Sequence, residues 1–284
     1  MRTVFIPTDF SDASLVALKY AVEIAQTAGA DLVLYSAVHL PPPVADLGAV
    51  AAPPPADELM EDTRKALLGL AKELEAHTTQ RIEVVVELGL ASDCIEGWME
   101  AHRPWLTVMA SKGTTGLERM VWGSVTRHVA EHAPTPLLVL PETHAYEPIQ
   151  SVLYATDFHS GDESVTRYLM DWVDDPTALK VHFMHVVDGA VPMEYEEAHM
   201  ADFEANLAQI APAPQLTFDL KPGRRIADTL ETEIASSDWN LVVVCPQQRS
   251  WFVRLFAPSV SNQLVEQLDM PILVHPGNRS NNAH

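Results

Sequence analysis

Glycine is scarce in this chain, 12 among 284 residues, and so are cysteine and positive charge. The two cysteines, Cys94 and Cys245, lack the close spacing of a metal clip. A single pair so far apart reads as free thiols, not as a disulfide framework. Lysine and arginine total 18 against 39 acidic residues, a net charge of −21, and no basic run forms a stripe. Nucleic-acid binding draws much of its affinity from neutralised phosphates, so it is disfavoured. Long apolar runs are also missing. Stretches such as 241–245 fall far short of the roughly 20 residues that span a bilayer. The opening "MRTVFIPTDF" has no signal-peptide apolar region. No membrane insertion is expected, and the expected location is the cytoplasm. The patterns GxxxxGK[ST], GxGxxG and GxSxG do not occur. The first absence removes the lysine and the magnesium-holding hydroxyl of an efficient NTPase.

What is present reads as globular, with 47% hydrophobic and 20% charged residues and length enough for two domains. The acidity divides evenly between the halves, with 20 acidic and 10 basic residues in 1–147 and 19 and 8 afterwards. It is a property of the whole surface, consistent with solubility.

The chain is written twice. "TVFIPTDFSDAS" at 3–14 returns as "SVLYATDFHSGDES" at 151–164, which aligns Thr8-Asp9-Phe10 with Thr156-Asp157-Phe158. "LVLYSAVHL" at 32–40 pairs with "KVHFMHVV" at 180–187, and on this alignment His185 matches His39. "HAPTPLLVLP" at 132–141 answers "QLDMPILVHP" at 267–276. Three landmarks in one order indicate a tandem duplication joined in "PETHAYEP". The expected domains are 1–146 and 147–284.

Within the first half, apolar strands are predicted at 3–6, 31–39, 81–86, 105–110 and 137–140. A helix is predicted through Leu59, Thr63, Leu67, Leu70 and Leu74, and another starts near Ala13 with Ser11 or Asp12 as its N-cap. The second half repeats the order, with strands near Ser151, Leu179, Leu216, Asn240 and Ile272. Continuous apolar strands separated by helices predict two tandem doubly wound α/β domains, each with a five-stranded parallel sheet. One segment breaks the symmetry. Residues 40–58 carry two proline triplets, which fit neither a helix interior nor a central strand. This long loop falls at a strand's C-terminal end, where open α/β sheets bind ligands. A lid and a passive surface loop both fit it.

Three of the scarce glycines, Gly113, Gly116 and Gly123, fall in "MASKGTTGLERMVWGS" at 109–124, between the fourth strand and a predicted helix. Bare backbone N–H groups beside a helix N-terminus make an anion site, with phosphate the usual guest. Ser124 can donate to the same oxygens, and Lys112, Arg119 and Arg127 supply local positive charge. A tight turn eased by glycine is the alternative reading.

The spacing Ala110, two residues, Gly113, nine residues, Gly123-Ser124 resembles the nucleotide loop of the universal stress protein family, with alanine in place of the first glycine. "IPTDFSDAS", the strand ending "VHL" and "HAPTPLLVLP" extend the resemblance to both halves. It implies an adenine nucleotide alpha hydrolase-like, Rossmann-like fold. The implied ligand is ATP, with or without magnesium, at the ends of strands one and four. On matching positions, Asp9 would meet the ribose with Pro7 and Thr8 beside it, and the backbone around Leu40 would meet the adenine. Met109, Ala110 and Ser111 would line the site, while Gly113, Gly123, Ser124 and Val125 would hold the phosphates. A negative φ at Ala110 would keep the loop in place; a positive one would shift it.

The second half aligns Cys245, Gln248 and Pro258-Ser259 with this series, so every glycine is lost. Weak or absent nucleotide binding is expected there, with its bulky loop buried against the other half or a partner. "HVAEH" at 128–132 matches the H-x-x-E-H pattern. It lies inside the helix after the nucleotide loop, the wrong context for zinc hydrolysis, and no metal site is expected. His185 is assigned to packing. No catalytic residue is assigned. The leading reading is a stress-response switch in which the first half binds ATP and the second is structural or contacts a partner. A slow ATPase or nucleotide-dependent transferase and a nucleotide-free chaperone-like module are the alternatives. A homodimer, an intramolecular pseudo-dimer and an unnamed protein partner all remain open.

Overall fold

The computed structural model describes residues 1–40, 55–112, 122–142, 144, 146–158, 161–210, 214–224, 226–245 and 270–276. The first half runs β1 (Thr3–Pro7), α1 (Asp12–Ala28), β2 (Asp31–Val38), α2 (Ala56–Leu74) and β3 (Ile82–Leu88). It continues through α3 (Ala91–His102), β4 (Leu106–Ala110), α4 (Ser124–His132) and β5 (Leu137–Leu140). The second half runs β6 (Ser151–Ala155), α5 (Asp162–Met170), β7 (Lys180–Val187), α6 (Met193–Leu207) and β8 (Gln215–Pro222). It ends with α7 (Ile226–Ser236), β9 (Leu241–Val244) and β10 (Ile272–Val274). Each predicted strand is found, and Ser11 caps α1 by accepting from the Ser14 N–H. Most of the proline-rich stretch, 41–54, lies outside the described residues.

The strands form one ten-stranded sheet in the order β3-β2-β1-β4-β5-β10-β9-β6-β7-β8. Within each half all pairings are parallel, while β5 and β10 meet antiparallel, with Leu138 opposite Leu273. This single junction reverses strand direction. The strands of the two halves therefore point their C-terminal ends in opposite directions.

Period-two alternation sorts the strand side chains onto two faces. Val4 and Ile6 of β1 join Leu32 and Leu34 in a core covered by α1, α2, α5 and α6. Phe5, Val33 and Tyr35 point the other way, to a core covered by α3, α4 and α7. The small buried face of α1, Ala13, Ala17, Ala21 and Ala25, lets the helix settle close to the sheet. With both faces covered, the strands read as continuous apolar runs, as predicted for parallel sheet.

Beyond β5 and β10, aromatic packing joins the halves. Trp105, just before β4, meets Tyr168 at 5.1 Å and Trp172 at 6.0 Å between ring centroids. The Tyr168 hydroxyl donates to the Trp105 carbonyl at 2.8 Å. Arg2 lies over the Trp105 ring at 5.3 Å and pairs with Asp171 at 2.6 Å.

Strand register corrects one alignment. Thr8 N–H donates to the Tyr35 carbonyl and Thr156 N–H to the Met184 carbonyl. Tyr35 is thus the counterpart of Met184, which pairs Ser36 with His185 and His39 with Asp188. The two strand-end histidines are not equivalent. His39 is exposed, whereas His185 packs its ring 4.6 Å from that of Phe158 and makes a 2.7 Å hydrogen bond from Nδ1 to the Thr156 carbonyl.

Candidate functional site

In the order β3-β2-β1-β4-β5, the chain turns one way from β1 to β2 and the other way to β4. The crevice outside the carboxyl ends of β1 and β4 is thus the topological switch point, where open α/β sheets take their ligands. Pro7 closes β1 and is buried, as is Thr8 after it. The Phe10 N–H donates to Thr8 Oγ1 at 3.0 Å, and Thr8 Oγ1 lies 2.8 Å from Ser14 Oγ. Because the Ser14 hydroxyl donates to the Ser11 carbonyl, the proton between the two hydroxyls comes from Thr8. This network holds Phe10 at φ 63, a left-handed conformation that costs a bulky residue about 1 kcal/mol or more. The turn leaves Asp9 exposed. Its Oδ1 accepts from the Ser11 hydroxyl at 2.6 Å and the Ser11 N–H at 3.1 Å.

On the other side of the crevice, Met109 and Ala110 end β4 and are buried. Ala110 has strand geometry and is not among the positive-φ residues, so its methyl is accommodated without backbone strain. The Ser111 N–H donates to the Leu140 carbonyl, and the Gly123 N–H donates to the Ser111 carbonyl, both at 2.7 Å. The loop between β4 and α4 is therefore tied at its neck. The buried Thr126 hydroxyl donates to the Ala110 carbonyl at 2.9 Å, fixing α4 to the end of β4. Sequence reasoning passed over Thr126; its signal was a hydroxyl one turn into a helix, facing a strand end.

Gly123 is the N-cap of α4, with φ −55 and ψ 150, and no side chain among the described residues caps that terminus. Any residue can adopt this φ, so glycine's use here is the absence of a side chain beside the helix end. Ser124 is exposed and opens α4, while Val125 packs partly against the core beneath. Leu40, half-buried, follows β2 on the far side of β1. Gly113, Gly116 and Arg119 lie outside the described residues. The crevice thus brings together Pro7, Thr8 and Asp9 from β1, Met109, Ala110 and Ser111 from β4, and Gly123 and Ser124 from α4. It offers a carboxylate on one wall and, on the other, a helix N-terminus, positive by its dipole.

At the matching strand ends of the second half, buried side chains form a polar cluster. Phe158 repeats the left-handed turn at φ 54, and its N–H donates to Thr156 Oγ1 at 2.8 Å. Matching helix starts, with Ser14 Oγ donating to the Ser11 carbonyl and Ser164 Oγ to the Gly161 carbonyl, show two residues inserted before α5. Asp162, the counterpart of exposed Asp12, is thereby turned inward to 2% exposure. The Thr156 hydroxyl donates to its Oδ2, and the Tyr154 hydroxyl to its Oδ1 at 2.6 Å. Tyr154 stands where the first half has Ile6. Its oxygen also lies 3.0 Å from Sγ of Cys245, the counterpart of Ala110. Burial pushes the Cys245 thiol far up and keeps it protonated. Residues 246–269 lie outside the described residues.

The universal stress protein family model matches residues 1–141. A universal stress protein of Methanocaldococcus jannaschii is 32% identical over 139 residues, which cover 49% of this chain and 81% of that relative. One from Mycolicibacterium smegmatis is 33% identical over 139 residues, 48% of this chain and 45% of the relative. The solved structure of a universal stress protein from Archaeoglobus fulgidus shares the fold along nearly the whole chain, with TM-score 0.70 at 16% identity, covering 96% of this chain and 97% of that one. On this family match, this relative and this fold, the chain belongs to the universal stress protein family.

Proposed function

We propose that the first half, residues 1–146, binds an adenine nucleotide, ATP by the family spacing, in the crevice between β1 and β4. In this reading the protein works as a nucleotide-dependent switch in the stress response. The observation that carries the reading is the N-terminus of α4, capped by no described side chain, behind a loop tied at Ser111 and Gly123. The N–H groups of the first helical turn, the dipole and the Ser124 hydroxyl suit phosphate oxygens. Asp9, pre-oriented by Ser11, suits ribose hydroxyls, since a carboxylate only accepts and its hydrogen bonds are charge-assisted. Ligand binding changes the surface around the crevice, which gives a partner two states to distinguish.

The second half, residues 147–284, serves as scaffold and contact surface. Tyr154, Asp162 and Cys245 form a buried hydrogen-bonded cluster at the matching strand ends, and the family match ends at residue 141. The antiparallel β5–β10 junction supports the reading of the chain as an intramolecular pseudo-dimer. Mass spectrometry of the purified, denatured protein is expected to release co-purified adenine nucleotide, and calorimetry to detect binding of added ATP with magnesium. Finding neither would leave a nucleotide-free stress module in its place.

A further inference from the structure

Glu96 on α3 and His128 and His132 on α4 each bring one potential ligand atom to a common point, all within 4.8 Å of one another. The two histidines are spaced i, i+4 and so share a helix face, with ring centroids 4.5 Å apart. Glu96 Oε2 lies 3.1 Å from His128 Nε2. His132 Nδ1 lies 2.9 Å from the His128 carbonyl. A carbonyl can only accept, so that nitrogen carries the proton and Nε2 is left with the lone pair a metal needs. This is the outer hydrogen bond that commonly orients a metal-bound imidazole. The backbones beneath are set by buried packing of Ile95, Trp98 and Met99 of α3 with Val129 and Ala130 of α4. The cluster is therefore assembled by the core. It is half-buried, open enough to admit an ion.

We propose that Glu96, His128 and His132 form a binding site for a divalent cation of the zinc class, which ties α3 to α4. Two imidazoles and one carboxylate suit zinc and its neighbours better than magnesium or calcium, which favour all-oxygen sets. Water completes the shell at the exposed side. This site is not the hydrolase arrangement of the "HVAEH" pattern. The acid it uses is Glu96 from another helix, while Glu131 within the motif lies 4.0 Å from Arg127. The site stands on different residues from the nucleotide crevice, and either can fail without the other.

The test is calorimetric titration of the full, chelator-stripped chain with Zn²⁺, together with the visible spectrum of the Co²⁺-loaded protein. One tight site per chain is expected, with a low-symmetry Co²⁺ spectrum. Glu96→Gln, His128→Ala and His132→Ala are each expected to weaken it at least about tenfold. His77→Ala, at an exposed histidine, is expected to leave it unchanged. Zn²⁺ is expected to raise the Tm of the parent chain but not of Glu96→Gln, whose near-isosteric side chain preserves folding, as far-UV circular dichroism checks. No tight Zn²⁺ site, or one that survives both Glu96→Gln and His132→Ala, would overturn the proposal.

Discussion

The Gly123 N–H donates to the Ser111 carbonyl at 2.7 Å, joining the two ends of the loop that leads from β4 into α4. Because Gly123 sits at φ −55, a side chain there imposes no backbone strain, and on the proposed function it would crowd a phosphate at the helix N-terminus. Gly123→Val is expected to keep unfolding free energy within about 1 kcal/mol of the parent. It is expected to weaken ATP at least tenfold, equivalent to about 1.4 kcal/mol. Urea denaturation and calorimetry on the same sample separate the two effects. A large loss of stability would mean that the glycine serves the fold and not the ligand.

Asp162 and Asp12 hold matching places in the two halves but differ in surroundings. Asp162 accepts from the Tyr154 and Thr156 hydroxyls in the core, so Asp162→Ala strands two buried hydroxyls. It is expected to cost roughly 2–4 kcal/mol. Asp12 is exposed in the first turn of α1, and Asp12→Ala is expected to cost less than about 1 kcal/mol. Urea unfolding midpoints of the two variants check the contrast.

Two contacts across the halves are expected to rank in the opposite order to their apparent strength. The Arg2–Asp171 pair is short, but both side chains are 40% exposed, and Arg2→Met is expected to change stability by no more than about 1 kcal/mol. Trp172 is buried among Trp105 and Tyr168, and Trp172→Ala is expected to cost about 3–5 kcal/mol. Thermal unfolding at two salt concentrations tests both, since only the ion pair is sensitive to screening.

His275 gives the fold a pH dependence. Burial pushes its imidazole down from 6.5 to about 4. Between those values the unfolded chain binds the proton that the folded chain refuses, so stability falls as pH drops from about 6.5 towards 4. The loss approaches about 3 kcal/mol at the acid end. In His275→Phe this part of the slope is expected to vanish, as unfolding free energies measured from pH 7 to 4 will report. An unchanged slope would show that the histidine takes up its proton at the same pH in the folded and the unfolded chain.

Local signals in the sequence carried most of this architecture. Repeated "TDF" turns, apolar strands and the Ser11 cap announced two parallel α/β halves, and glycine spacing picked out Gly123 and Ser124. What was hidden depends on long-range geometry. The antiparallel meeting of β5 and β10 has no sequence mark, because a buried edge strand reads like a central one. His39 and His185 looked equivalent until strand register moved them three residues apart, since similarity in a short apolar run does not define register. The two residues inserted before α5, and their effect of turning Asp162 from surface to core, emerge only from the matching helix starts. Glu96 belongs with His128 and His132 only because α3 packs beside α4, which no local spacing records.

The central claim is that one half of this chain binds a nucleotide and the other does not. Equilibrium dialysis with labelled ATP and magnesium tests it most directly, by counting sites per chain in the parent, Asp9→Ala and Gly123→Val. The account predicts one ATP per chain, with affinity lost in both variants. Two equivalent sites, or one site indifferent to both substitutions, would contradict it.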